Sequence, residues 1–341
     1  MIRNTEAWLA QLSDPAGTNA RWQAKPFDAS GDAAAIGLLD EAARHNVHLV
    51  AGRNLLGVLK DNPGSFYNGD PALVIQRAAA LQTAIRDRRL QEIAHNTVLA
   101  GTAREILHAA AGMPVALVKG LDFAEAVYHG VHNRKFSDVD LLVAPSAQQD
   151  IANVLSGLGF AEVIAKGKKI EQTERQWTRQ APHAGLTLVE VHTDMVHAPE
   201  LRARMSLTHA LYAGRPNGGV TGAARLVLAA LHGATSHLFA RLQYVVDGMM
   251  VARAGVDAKE LKERAKRSGA LLPVSTMLRL AVEIYGCQAS GALLGQMEPV
   301  RFAAVERRLI SPAMVISAKS QTRWQSLPQR FLYRRMMQAG I

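Results

Sequence analysis

The sequence predicts an α/β (α+β) fold in which a small mixed β-sheet core is flanked by N- and C-terminal helical regions. Three observations point to it. Apolar residues recur at three- and four-residue spacing before residue 112 and again after 201; short Val/Leu-rich runs lie between them; and helix-like segments separate those runs. In chain order, AAAIGLLDEAARHNVHLVAGRNLL (33–56) and LVIQRAAALQTAIRDRRLQEIAHNTVLAGTAREILHAAAG (73–112) read as helices, the second closed by Gly112. PVALVKG (114–120) and DVDLLVA (138–144) read as strands on either side of the helical LDFAEAVYHG. SAQQDIANVLSGLGF (146–160) reads as a helix with Ser146 as its N-cap, and GLTLVEVHTD (185–194) alternates as a strand does. The helical pattern resumes in AARLVLAALHGATSHLFARLQYVVDGMMVARAG, expected as one helix over 222–252, then in DAKELKERAKRSG and LLPVSTMLRLAVEIYG, with Asp257 and Gly286 placed as caps. The expected organisation is a helical region 1–112, an α/β core 113–200, a helical domain 201–310 and a basic tail 311–341.

Composition narrows the class of protein. At 48% hydrophobic and 20% charged residues over 341 positions, the chain has the make-up of a folded globular protein, not of a disordered or collagen-like one. No uncharged apolar run is long enough to span a bilayer and the N-terminus is too polar for a signal-peptide core, so a cytoplasmic protein without a membrane partner is expected. A single cysteine, Cys287, excludes an internal disulfide and a cysteine-held metal cluster. The net charge of +10 favours anionic partners such as nucleotides, phosphates or nucleic acid. Much of that excess lies in residues 301–341, where Arg301, Arg307, Arg308, Lys319, Arg323, Arg330, Arg334 and Arg335 face only Glu306. In RFLYRR the arginines alternate with apolar residues and no aromatic platform accompanies them, which favours a docked helix over nucleic-acid binding.

The chemistry-bearing residues sit at the ends of the strands. Asp138 and Asp140 are two apart on one strand and therefore share a face, where like charges held together call for cations; hard oxygen ligands select Mg²⁺ or Mn²⁺. A lone D-x-D also fits a solvated strand edge. Glu190 and His192 share a face of LTLVEVH in the same way, so pairing of the two strands would bring a third carboxylate to the pair. Lys119 and Gly120 form a strand-to-helix turn suited to a phosphate, although a glycine there also serves packing. Arg134 lies in the polar loop before Asp138. His232 and Ser236, four apart, face either the core or the cleft, while His183, His192 and His197 lack HExxH-type spacing.

Together, KG-LDFAEAVY, then R-x3-D-V-D-L-L-V, then V-E-V-H resemble the uncharacterised nucleotidyltransferase family of the DNA polymerase β superfamily, and LHGATSHLFARLQYVVDG is similar to its C-terminal helix. The resemblance implies a metal-dependent nucleotidyltransferase that uses an NTP as co-substrate and releases pyrophosphate. Carried over by motif, Asp138, Asp140 and Glu190 are the catalytic and metal-binding carboxylates, and Lys119, Gly120 and Arg134 hold the nucleotide. Leu121 stands where the superfamily has a serine. The implied acceptor is a hydroxyl on a small molecule, a peptide or protein, or a tRNA end. Two further readings differ in class: an inactive nucleotide-, RNA- or protein-binding module on the same fold, and a metal-dependent phosphohydrolase using Asp140, Glu190 and His192.

Overall fold

The computed structural model describes residues 3–19, 21–30, 33–163, 173–181, 185–213, 219–299, 303–317 and 327–339; His183, Arg301, Lys319, Arg323 and Trp324 lie outside them. The N-terminal region comprises α1 (Asn4–Leu12), β1 (Phe27–Asp28), α2 (Ala33–Arg44), α3 (His48–Asp61), β2 (Tyr67–Asn68) and α4 (Pro71–Ala109). The stretch expected as one helix over 33–56 is thus two. It breaks at Asn46, whose φ of +57° lies in the left-handed region that asparagine tolerates better than most residues. The 39-residue α4 starts where Asp70 accepts a hydrogen bond from Leu73 N and Pro71 takes the first turn, and the chain leaves it through Gly112 at φ +84°.

The mixed sheet follows: β3 (Val115–Val118), α5 (Gly120–Ala126), β4 (Val139–Val143), α6 (Gln148–Gly157), β5 (Ala161–Glu162), β6 (Glu174–Ala181) and β7 (Gly185–His192). Its order is β3-β4-β7-β6-β5; β4 and β7 run parallel and the other neighbours antiparallel. The sequence reading did not anticipate β5 and β6. Ser146 also falls short of its expected role, lying inside a 3₁₀ turn (Pro145–Ala147) that precedes α6, which has no side-chain cap.

Alternation divides the sheet between two cores. Val139, Leu141, Val143, Val189 and Val191 point to one face and pack with Leu99, Ala103 and Ile106 of α4 and with Ile151 and Leu155 of α6. Val118 and Leu142 point to the other face, into a larger core that runs from Trp8 through the C-terminal helices to Met337. Asp140, Glu190 and His192 share that second face.

The C-terminal part comprises α7 (Pro199–Arg202), α8 (His209–Ala213), α9 (Gly222–Leu231), α10 (Leu242–Arg253), α11 (Ala258–Arg267), α12 (Leu271–Tyr285), α13 (Gln288–Gln296), α14 (Ala303–Leu309), α15 (Pro312–Ile316) and α16 (Leu327–Gln338). Asp257 caps α11 by accepting from Glu260 N, and Gly286 ends α12 at φ +66°. The basic α16 is docked: Tyr333 is fully buried and donates to Thr276 Oγ1 at 2.8 Å, while Arg334 pairs with Glu200 at 2.9 Å. Among the described residues no helix is long and apolar enough to cross a membrane.

Candidate active site

Strand register assembles the site. Asp138 is the residue before β4 and Asp140 is the second residue in it, so period-two alternation puts both on the sheet's second face. The parallel pairing of β4 with β7 sets Asp140 directly beside Glu190, and the antiparallel pairing of β7 with β6 sets Gln176 beside Glu190 and Glu174 beside His192. Three strands therefore deliver Asp138, Asp140, Glu190, His192, Glu174 and Gln176 to one patch. The Gln176 side-chain amide donates to both Glu174 Oε1 and Glu190 Oε1, at 3.0 Å each.

Lys119 follows β3 with φ +54° and ψ −121°, a conformation that strains a non-glycine residue by about 1–3 kcal/mol and so needs support from its surroundings. Its Nζ donates to Asp140 Oδ1 at 2.6 Å, and His192 Nε2 lies 2.9 Å from the same oxygen. Burial alone would push the Asp140 carboxyl up, but Lys119 and His192 outweigh it and hold Asp140 far below the usual carboxylate range. Burial likewise opposes the Lys119 ammonium, yet Asp140, Glu190 and Asp138 keep it above the ordinary lysine value. The other two acids respond in the opposite sense. Burial, then the charge on Asp140, pushes Asp138 up to about 6 and Glu190 up to about 7. One acid is thus ionised and paired, while its two neighbours are held ready to ionise when a cation arrives.

The patch forms one wall of a cleft of about 370 Å³. Lys119, Gly120, Arg134 and Lys135 also line it, as do His232, Ser236, His237, Arg241 and Tyr244. Those residues reach the cleft because the expected helix over 222–252 is interrupted by a π-helical turn (His232–Ser236) and by Leu238 and Phe239 at φ +52° and +53°. Gly233 permits the interruption, since a Cβ there would lie 2.7 Å from the Phe239 ring. His237 then stacks on Tyr244 with ring centroids 4.6 Å apart.

Arg134 is buried, with Nε and Nη2 on the two oxygens of Asp247 at 2.8 and 2.7 Å and Nη1 on Gly120 O at 3.0 Å. Tyr128 and Gln243 complete this network on Asp247. Gly120 itself faces Phe136, whose Cβ would be 2.8 Å from an added Cβ, so packing requires a glycine there. Leu121 is buried in the smaller core and turned away from the cleft.

Two groups of ligand atoms each fall within 4.8 Å of one another: Asp140, Glu190 and His192, and Glu174, His192 and His197. Asp138 lines the same cleft but belongs to neither group. Glu174, Gln176, Lys135 and His197 were not singled out as site residues by motif. The available signal was the polar alternation of Glu174 and Gln176, which repeats that of Glu190 and His192 on the neighbouring strand.

Carboxylates on one wall and cations on the others suit a protein that handles an anionic substrate together with a metal ion. Residues 39–286 match the uncharacterised nucleotidyltransferase family, and the chain belongs to that family. Membership gives it a general role in nucleotidyl transfer and implies a nucleoside triphosphate as substrate. No curated protein and no solved structure matches the chain.

Proposed function

We propose that the chain transfers a nucleoside monophosphate from an NTP to a hydroxyl-bearing acceptor in the cytoplasm, with Mg²⁺ or Mn²⁺ held by Asp138, Asp140 and Glu190. The observation that carries this reading is the register of β4 against β7. It sets Asp140 beside Glu190 with Asp138 one step along the same face, in a cleft where two of the three acids are raised by burial and mutual repulsion. An all-oxygen set of that kind fits a hard divalent ion. When bound, the ion supplies charge neutralisation at the reacting phosphate and at the departing pyrophosphate.

The chain's own residues do the rest. The acceptor oxygen forms a bond to the α-phosphorus as the bond to pyrophosphate breaks, and Glu190, its pKa raised to about 7 without a cation, becomes the carboxylate that favours the deprotonated acceptor. Lys119 and the Gly120 turn face the phosphates, with Arg241 on the cleft wall adding positive charge. Arg134 acts as a positioning residue: its bond to Gly120 O and its pairing with Asp247 fix the turn to α10. Three acids facing a polyanion would weaken a mere nucleotide-binding module, which favours the catalytic reading over that alternative.

Incubation with each α-labelled NTP, Mg²⁺ and a fractionated cell extract tests the proposal. Transfer of label with stoichiometric pyrophosphate supports it. NTP binding without transfer supports the binding module, and release of orthophosphate supports the hydrolase.

A further inference from the structure

The pairing of β6 with β7 builds a second ligand set that the proposed transfer does not use. Glu174 and His192 are register partners, so their side chains stand next to each other, and His197 returns over them from the segment after β7. Glu174 Oε2 is 3.6 Å from His197 Nε2 and 3.9 Å from His192 Nδ1, with the two imidazole centroids 5.1 Å apart. These separations are too long for hydrogen bonds. They approach the spacing of about 3.3 Å expected between donors around one tetrahedral ion with ligand bonds of about 2.0–2.1 Å.

The hydrogens point the same way. His192 Nε2 lies 2.9 Å from the ionised Asp140, so the ring's proton sits there and Nδ1 carries a lone pair. That Nδ1 is buried and has no hydrogen-bond partner among the described residues, in a side chain with no solvent exposure. Gln176 occupies Glu174 Oε1 and leaves Oε2 facing the rings. Thr173 Oγ1 lies 3.2 Å from His197 Nδ1 and can accept that ring's proton, the tautomer that leaves the Nε2 lone pair toward Glu174. In that tautomer three electron-pair donors converge, their ligand atoms within 4.8 Å of one another.

We infer that Glu174, His192 and His197 form a second cation site, distinct from the carboxylate set, for a divalent transition ion of the Zn²⁺ class. Imidazole nitrogen suits such ions, whereas Mg²⁺ prefers oxygen. Asp140 then orients the ligating ring through its other nitrogen, as carboxylates do for metal-bound histidines. Glu174 and His197 both line the cleft, so the remaining coordination positions open into it and accept water or a substrate oxygen.

The test is direct titration of the metal-free full chain with Co²⁺, read by visible absorption, and with Zn²⁺ in competition. It needs no nucleotide, so its outcome is separable from that of the transfer assay. With millimolar Mg²⁺ present to fill the carboxylate set, one Co²⁺ per chain is expected, with the intense bands of a site having nitrogen ligands and low coordination number, displaced by Zn²⁺. Glu174→Gln and His197→Ala are each expected to weaken Co²⁺ by about 100-fold while keeping the wild-type melting curve without metal, and Asp138→Asn to retain the intense bands. Unaltered Co²⁺ affinity in both ligand variants, or loss of the bands in Asp138→Asn, would overturn the inference. If His197→Ala fails to fold, His197→Gln carries the same expectation.

Discussion

Replacing Asp138 by asparagine isolates the electrostatic state of the site. Asp138 has its pKa raised from 3.8 to about 6 by burial and then by the charge on Asp140. A carboxyl that holds its proton more tightly when folded contributes stability below about pH 4, and that contribution is lost as pH rises through about 6. At about 1.4 kcal/mol per tenfold, the full shift corresponds to about 3 kcal/mol; the carboxylate keeps partial solvent contact, which reduces the expected effect to about 1–2 kcal/mol. Asparagine has nearly the same shape and no charge, so the variant escapes this loss.

The assay is a pair of thermal melts on metal-free protein at pH 5 and pH 8. For 341 residues, 1 kcal/mol corresponds to about 1.4 °C, and because pH 5 lies midway through the loss only about half of it falls between the two pH values, so the variant is expected to gain about 1 °C on wild type at pH 8 relative to pH 5. Comparing the two pH values removes any packing effect of the amide. Mg²⁺ is expected to reverse the ranking at pH 8, stabilising wild type by about 2.7 kcal/mol at a hundredfold excess over Kd and leaving the variant little changed. A variant no more stable than wild type at pH 8, or equally shifted at both pH values, would refute the idea that Asp138 sits in an uncompensated acidic cluster.

The remaining predictions concern other parts of the same framework. Asp140→Asn is expected to abolish transfer and, unlike Asp138→Asn, to destabilise the metal-free protein by about 3–5 kcal/mol in urea melts, because Lys119 loses its buried partner. Glu190→Gln is expected to lower kcat more than it weakens NTP binding; equal losses would make it a ground-state ligand only. Asp247→Asn, which leaves the buried Arg134 guanidinium poorly paired, is expected to cost about 3–5 kcal/mol by the same measurement. Tyr333→Ala is expected to cost about 3–5 kcal/mol, or about 4–7 °C in Tm, because the ring is fully buried and its hydroxyl bonds Thr276; an unchanged Tm would mean that α16 does not dock.

What the sequence disclosed follows from which interactions are local. The apolar strands β3, β4 and β7 announce themselves because both faces of β4 are buried and β7 alternates, and the caps at Asp257 and Gly286 act on their own helix ends. The strand β6, ERQWTRQA, carries one large apolar residue, Trp177, and its polar side chains are satisfied across the sheet: Arg175 by Glu162, Arg179 by Glu105, Gln176 by two glutamates. Apart from Glu174, two residues earlier on the same strand, those partners lie on other elements, so no local window of sequence shows them. The interruption after His232 was hidden for a related reason. It is accommodated by the packing of Phe239 against Gly233, a contact that helical periodicity does not encode. Arg134, which the family resemblance assigned to the nucleotide, finds its counter-charge 113 residues away in Asp247, a pairing no local window of sequence shows.

The D-x-D motif shows how far such a reading reaches. Alternation correctly places Asp138 and Asp140 on one face, but it treats them as equivalent, and the removal of either charge then seems to relieve repulsion. The structure makes them different. Asp140 lies within β4, 4% exposed, with Lys119 and His192 both on Oδ1, so it is the compensated charge around which the patch is built. Asp138 precedes the strand, where no ladder neighbour supplies a cation, and it takes up the repulsion that Asp140 creates. Neutralising Asp140 therefore strands Lys119, whereas neutralising Asp138 relieves a conflict. The opposite signs expected for the two asparagine variants arise from a single strand register, and measuring both in one melt series tests that register more sharply than loss of activity, which either substitution is expected to cause.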